Sequence, residues 1–227
     1  MLVIVVGTVF VGAFFYVAAR RSALVPGKLQ FAAESVYGFV RNQIAPDTIG
    51  REGIKYVPYL VTLFGFLVVL NVAGIIPILQ FPATSKIAIP LSLAAISWLI
   101  YNYVGIKRQG FLGYFKNMMF PPGVPKAMYV LLAPLEFMST FVFRPITLTL
   151  RLTFNMFAGH LVLLLCILGG EYLLLEYQGI VGYAAGSVAT LFGIVMTFFE
   201  GFIQVLQAYV FVLLTAIYIG GALTHEH

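Results

Sequence analysis

From Met128 to Leu168 the chain runs for 41 residues that are almost purely apolar, broken by only a few polar side chains such as Glu136, Arg144 and Arg151. In hydrocarbon a spanning segment must satisfy every backbone N–H and C=O within itself, so a helix is the one solution open to a single segment of this kind. A straight helix of that length would extend about 60 Å, about twice the hydrocarbon thickness of a bilayer. The segment must therefore be split, kinked at Pro134 or Pro145, or strongly tilted. The same holds for Ile180 to Leu223.

Composition extends this to the whole chain. Of 227 residues 61% are apolar and 9% charged, with a mean hydropathy of +1.00, which excludes a soluble globular domain. The reading is an all-α polytopic membrane protein of about five to six helices, one membrane domain over residues 1–227, closed by a long, tilted antiparallel hairpin. The single Cys166 lies in an apolar run and excludes a disulfide frame within the chain. The net charge of +5 could suggest an acidic partner, but the basic residues cluster just outside apolar spans, where they read as topology signals and not as a nucleic-acid patch.

Residues 1–19 form a first span, and Arg20 and Arg21 follow it where a cleaved leader would carry its charge in front. It is expected to be a retained helix with its N-terminus outside, in a natural chain that could be longer. Residues 22–55 mix Lys28, Arg41, Arg51 and Lys55 with Glu34, Asp47 and Glu52, and Leu29, Ala33, Val36, Tyr37 and Val40 recur at helical spacing, predicting an amphipathic segment at the cytoplasmic surface. Residues 56–79 are the second span, in which Asn71 reads as interhelical glue. Residues 87–106 are the third. The stretch 107–127, with Lys107, Arg108, Lys116 and Lys126 and no acid, is expected to be a basic cytoplasmic loop ending in the PPGVP break. Residues 128–168 and 180–224 are the hairpin helices. Their turn, with Glu171 and Glu176, is placed outside, and the tail inside.

Arg151 needs explaining, because a guanidinium does not shed its charge and costs about 2.5–3.5 kcal/mol at mid-bilayer on insertion scales. At about 100° per residue Arg144 falls about 20° from it, Asn155 about 40° and Glu136 about 60° in the other sense, so the four share a stripe. The last segment carries a second stripe, Glu200, Gln204 and Gln207. If the two helices fold back near Gly179, Arg151 faces Gln207, Asn155 faces Gln204 and His160 faces Glu200, all in one register to within two positions. The expectation is a polar seam inside the membrane.

These residues carry a family resemblance. LRLTFNMFAGH at 150–160 is similar to the signature of subunit a of the F-type ATP synthase, an arginine followed after three residues by asparagine and then by an Ala-Gly-acid run. Gln207 within LQAYVF, the Asn71, Gly74, Pro77 spacing, Arg144 before Pro145 and the closing His-Glu-His match as well. The resemblance covers roughly residues 55–225. It implies that Arg151 is the stator arginine, Gln207 its neighbour on the last helix, and Glu136 an acid on the exit path. Many members have an acid at the position of His160 and a histidine at that of Glu200, so this chain resembles them with the pair exchanged.

The resemblance further implies a stationary subunit beside a rotating ring of c subunits, with peripheral-stalk b subunits, the other ATP synthase subunits and the lipid bilayer as partners, in a bacterial plasma membrane. Protons would pass through two offset half-channels, His160 and Glu200 on one and Glu136 on the other, with Arg151 between them and Asn155, Gln204 and Gln207 holding its guanidinium. Arg144 would support the exit path or snorkel to the interface. No cofactor, nucleic-acid partner or metal is implied, two terminal imidazoles, His225 and His227, being too few for a metal site. Rival readings are a secondary transporter or ion exchanger using Arg151 as an anion site, which such folds build around internal repeats that this chain lacks, and a structural scaffold. A catalytic site of its own is not expected, since no phosphate loop or nucleophile with a base occurs.

Overall fold

The computed structural model describes residues 2–20, 27–76, 83–119, 128–177 and 179–223. The PPGVP break, Pro77, and the tail with His225 and His227 lie outside them. Among the described residues the fold is all helical: α1 (Leu2–Arg20), α2 (Lys28–Phe39), α3 (Ala45–Thr48), α4 (Val57–Ala73), α5 (Ala88–Gln109), α6 (Phe111–Met119), α7 (Tyr129–Met138), α8 (Arg144–Leu175) and α9 (Ile180–Leu223). Four helical runs, Gly53–Ala73, Ala88–Gln109, Leu131–Leu175 and Ile180–Leu223, are long and apolar enough to cross a membrane, and Ile4–Arg20 is a shorter apolar helix.

The long run from α7 into α8 stays helical past its prolines. Pro145 offers no N–H to the carbonyl four residues back, and its ring would press on that carbonyl. The chain answers by widening into a π-helical turn, Ser139–Phe143, which ends with the Arg144 N–H bonded to the Ser139 carbonyl. The same device precedes Pro46: a π turn, Val40–Ile44, links α2 to α3. A π turn absorbs one extra residue, so side chains beyond it return to the face they would otherwise leave.

Two expected surface segments are more structured than the sequence suggests. Within 107–127, α5 continues to Gln109, Gly110 turns the corner with φ 74°, and α6 folds back. Tyr114 of α6 is buried against Gly105, which has no side chain to exclude its ring, and Phe115 stacks on Phe141 with ring centroids 5.7 Å apart. In the 22–55 segment Val40, Ile44, Ala45 and Ile49 join the main core, beneath the end of α9. Gly220 of α9 lies against the Thr48 carbonyl, so close that a methyl group could not be added.

The core surrounds the second half of α9. Phe211, Val212, Ala216 and Ile219 are enclosed by Leu60 and Leu67 of α4, Tyr101 of α5 and Leu148 and Leu152 of α8. The first half of α9 packs on α8 through a stripe of small residues. A Cβ on Gly170 would meet Thr190 Oγ1 at 2.8 Å, and one on Gly186 would meet the Gly170 carbonyl at 3.1 Å, so the backbones approach as small residues permit in membranes. The hairpin register is the one read from the sequence: Gly193 lies against Cys166 and Ile167, Gly186 against Leu174, and His160 against Glu200.

Candidate functional site

Polar side chains collect at two levels of the α8/α9 hairpin, one on each side of Arg151. The first lies toward the hairpin turn. His160 Nδ1 is 3.1 Å from Oε1 of Glu200, and Gln204 Nε2, one turn along α9, donates to the same oxygen at 3.1 Å and reaches Met156 Sδ at 3.3 Å. Glu200 and Gln204 are buried, and His160 is half-buried. The close approach depends on Gly159, where a Cβ would stand 2.8 Å from Glu200 Oε1 and 2.9 Å from its Cδ. From α4, Asn71 Nδ2 donates to the Gln204 carbonyl at 3.1 Å, while its Oδ1 accepts from Thr84 Oγ1 at 3.1 Å. Asn71 thus joins α4 to α9, as a lone asparagine in such a helix should.

The second level lies toward the π turn. Arg144 Nη2 is 3.8 Å from Glu136 Oε1, and its guanidinium lies over the Tyr218 ring at 4.9 Å. Eight positions apart, the two charges would diverge by about 80° on a regular helix, but the intervening π turn restores the geometry of a pair seven apart, about 20°. Around them Tyr101 donates to the Thr140 carbonyl at 2.7 Å and Tyr114 to Asn102 Oδ1 at 3.0 Å. Arg144 is therefore an ion-pair partner of Glu136, and not only a charge reaching for the interface.

Arg151 stands between the levels, about 13.5 Å along the helix from His160 and about 10.5 Å from Arg144. The structure places it differently from the expected seam. Leu148, Leu152 and Met156 take the buried stripe of α8, and Met156, not Asn155, meets Gln204. The helix is turned so that apolar side chains fill the interface, because packing them gains what a buried guanidinium would lose. Arg151 is exposed, and neither it nor half-buried Asn155 hydrogen-bonds to a described residue; Gln204 holds Glu200 in place of the guanidinium. Large apolar side chains of the same two helices, Phe154, Phe157, Phe202 and Leu206, are exposed as well.

Three polar atoms on α9, Oε2 of Glu200, Oε1 of Gln204 and Nε2 of Gln207, are buried without a hydrogen-bond partner among the described residues. They follow one another along the helix from His160 toward the level of Arg151. Sequence reasoning did not single out Thr84, Met156, Gly159 or Tyr218; the Ala-Gly-His step was the one available signal, since a small residue beside an ionisable one marks a close approach.

A family model described as ATP synthase A chain matches residues 1–220. The chain belongs to the ATP synthase subunit a family. Relatives named ATP synthase subunit a include one from Nocardioides sp., 50% identical over 228 residues that cover 100% of this chain and 82% of the relative. Another, from Streptomyces lividans, is 46% identical and covers 100% and 80%. A third, from Rhodococcus erythropolis, is 44% identical and covers 100% and 83%. Subunit a is a membrane-sector subunit of the ATP synthase complex, and the apolar helices described above are those of a multi-pass integral membrane protein.

Proposed function

We propose that this chain is the stator of the proton-driven rotor, passing protons to and from carboxyl groups on a ring of c subunits through two half-channels that do not meet. The observation that carries the reading is the position of Arg151: a permanent charge on an exposed face, without a hydrogen-bond or ion-pair partner among the described residues, between two polar clusters. Facing lipid, such a charge would be costly; facing a ring carboxylate it gains a counter-ion that is renewed as the ring turns.

The levels then divide the work. His160 and Glu200, residue types that exchange protons within a few units of neutral pH, lie on the half-channel open to the outside. The unpartnered atoms of Glu200, Gln204 and Gln207 offer two acceptors and a donor in file, the groups a row of water needs. Glu136 and Arg144 lie on the half-channel open to the cytoplasm. Arg151 keeps the ring carboxylate ionised between them and repels a free proton, so that a proton crosses only by riding the ring. The N-terminus is outside and the C-terminus cytoplasmic, in a bacterial plasma membrane, with peripheral-stalk b subunits holding the chain against rotation. An ion exchanger with an anion site is not favoured, because Arg151 lies on an open face and not in an enclosed cavity.

The test is proton pumping by the complete complex in vesicles. Arg151→Ala and Arg151→Lys should both abolish coupled pumping, and a normal rate with alanine would end this reading.

A further inference from the structure

Thr84 stands apart from every group assigned above, yet it ends a line of contacts that leads to Glu200. It is completely buried, in the helical turn Ala83–Ser85, which packs on α4, α5 and α8. Its hydroxyl donates to Asn71 Oδ1, Asn71 Nδ2 donates to the Gln204 carbonyl, and the Gln204 side chain donates to the oxygen of Glu200 that His160 also contacts.

The chemistry of each link gives the line a direction. A carbonyl inside a helix already accepts from the N–H four residues on, so the bond from Asn71 uses its second lone pair. That bond fixes where α9 stands against α4 at residue 204, one turn from Glu200. Asn71 can hold this place only with its NH2 toward α9, because the reverse orientation would set two acceptors face to face. The Thr84 hydroxyl supplies the donor that its outward-turned Oδ1 then needs in a site without access to solvent. A valine would fill the same volume, so what threonine adds here is a donor.

We propose that Thr84 is a positioning residue for the His160/Glu200 pair. Through Asn71 it holds the turn 200–204 of α9 at the height and rotation that bring the carboxylate to the imidazole. The inference rests on the reading of that pair as the proton-exchanging groups of one half-channel.

The experiment measures ATP-driven proton pumping by the complete complex in vesicles, across the pH range in which imidazoles and carboxylates titrate. Thr84→Val should assemble at the normal level, lose several-fold in rate, and displace the pH profile by about half a unit or more, about threefold in proton affinity. Thr84→Ser, which keeps the donor, should restore both. An unchanged pH profile in Thr84→Val, whatever its rate, would overturn the proposal. Where valine prevents assembly, Thr84→Ala is read by the same criterion. His160→Gln separates the two failures: if it loses pumping or moves the profile while Thr84→Val does not, only the positioning role falls, whereas a normal rate and profile in His160→Gln removes the reading of the pair and the proposal with it.

Discussion

Nδ1 of His160 and Oε1 of Glu200 meet at 3.1 Å although forty positions separate them in the chain. The contact follows from the antiparallel register of α8 and α9 and from Gly159, which lets the carboxylate lie against the α8 backbone. Only a small part of either side chain reaches the surface, 19% for His160 and 7% for Glu200. Removing one partner therefore strands the other in a site of low dielectric, at about 3–5 kcal/mol for an ionised pair. His160→Ala and Glu200→Gln should each lower proton flux at least tenfold, while the double exchange His160→Glu with Glu200→His retains part of it. Pumping assays on the three variants at equal assembly check this, and a double exchange no better than either single change would count against a shared role.

The room at Gly159 gives a second expectation. A methyl group there would overlap the Glu200 carboxylate, and inserting volume into a packed site costs about 1–3 kcal/mol. Gly159→Ala should reduce pumping strongly. Adding Glu200→Asp, which withdraws the carboxylate by one methylene, should recover some of the loss, a coupling that a double-mutant cycle measures.

Arg151 bonds to no other described residue, so replacing it should leave the fold intact. Arg151→Ala should reach the membrane and assemble at the normal level, with thermal stability changed by less than about 0.5 kcal/mol, while coupled pumping is lost. Loss of the subunit from the purified complex would instead mark a structural arginine.

The Glu136/Arg144 pair should behave differently. At 3.8 Å and with both side chains partly exposed, it contributes about 0–1 kcal/mol to stability. Glu136→Gln should slow pumping by a few-fold without affecting assembly. Deleting one residue from the π turn Ser139–Phe143 should leave the pair aligned, seven apart on a regular helix at about 20°, whereas inserting one there should be more damaging, since it rotates everything before the turn by about 100° relative to Arg144. Comparing the two variants tests whether the turn's function is alignment.

At the far end of α9, Gly220 is pressed against the backbone of Thr48, which cannot move aside as a side chain could. Gly220→Val should cost at least about 1–3 kcal/mol and lower the amount of assembled subunit, measured by expression and by thermal denaturation of the complex. A variant that assembles normally would show that α3 and α9 are not tightly docked.

Much of this was legible in the sequence. The apolar runs announced the helices, because hydrocarbon leaves the backbone no other partner, and the spacing of polar residues on two such runs gave the register that sets His160 against Glu200. Asn71, alone among apolar neighbours, pointed to an interhelical bond. The signature around Arg151 marked the residue on which the proposed function turns.

What the sequence by itself determined was the set of long apolar helices, the hairpin and its register, because these follow from hydrophobic length and from periodicity within single segments. The tertiary structure alone decided the rotation of α8, which buries Leu152 and Met156 and leaves Arg151 on the open face, since several helices compete for one interface and apolar packing wins it. It alone decided the π turn that unites Glu136 with Arg144, and the contact of Thr84 with Asn71. Neither leaves a periodic trace, because one is a local response to a proline and the other joins a short turn to a helix it merely packs against.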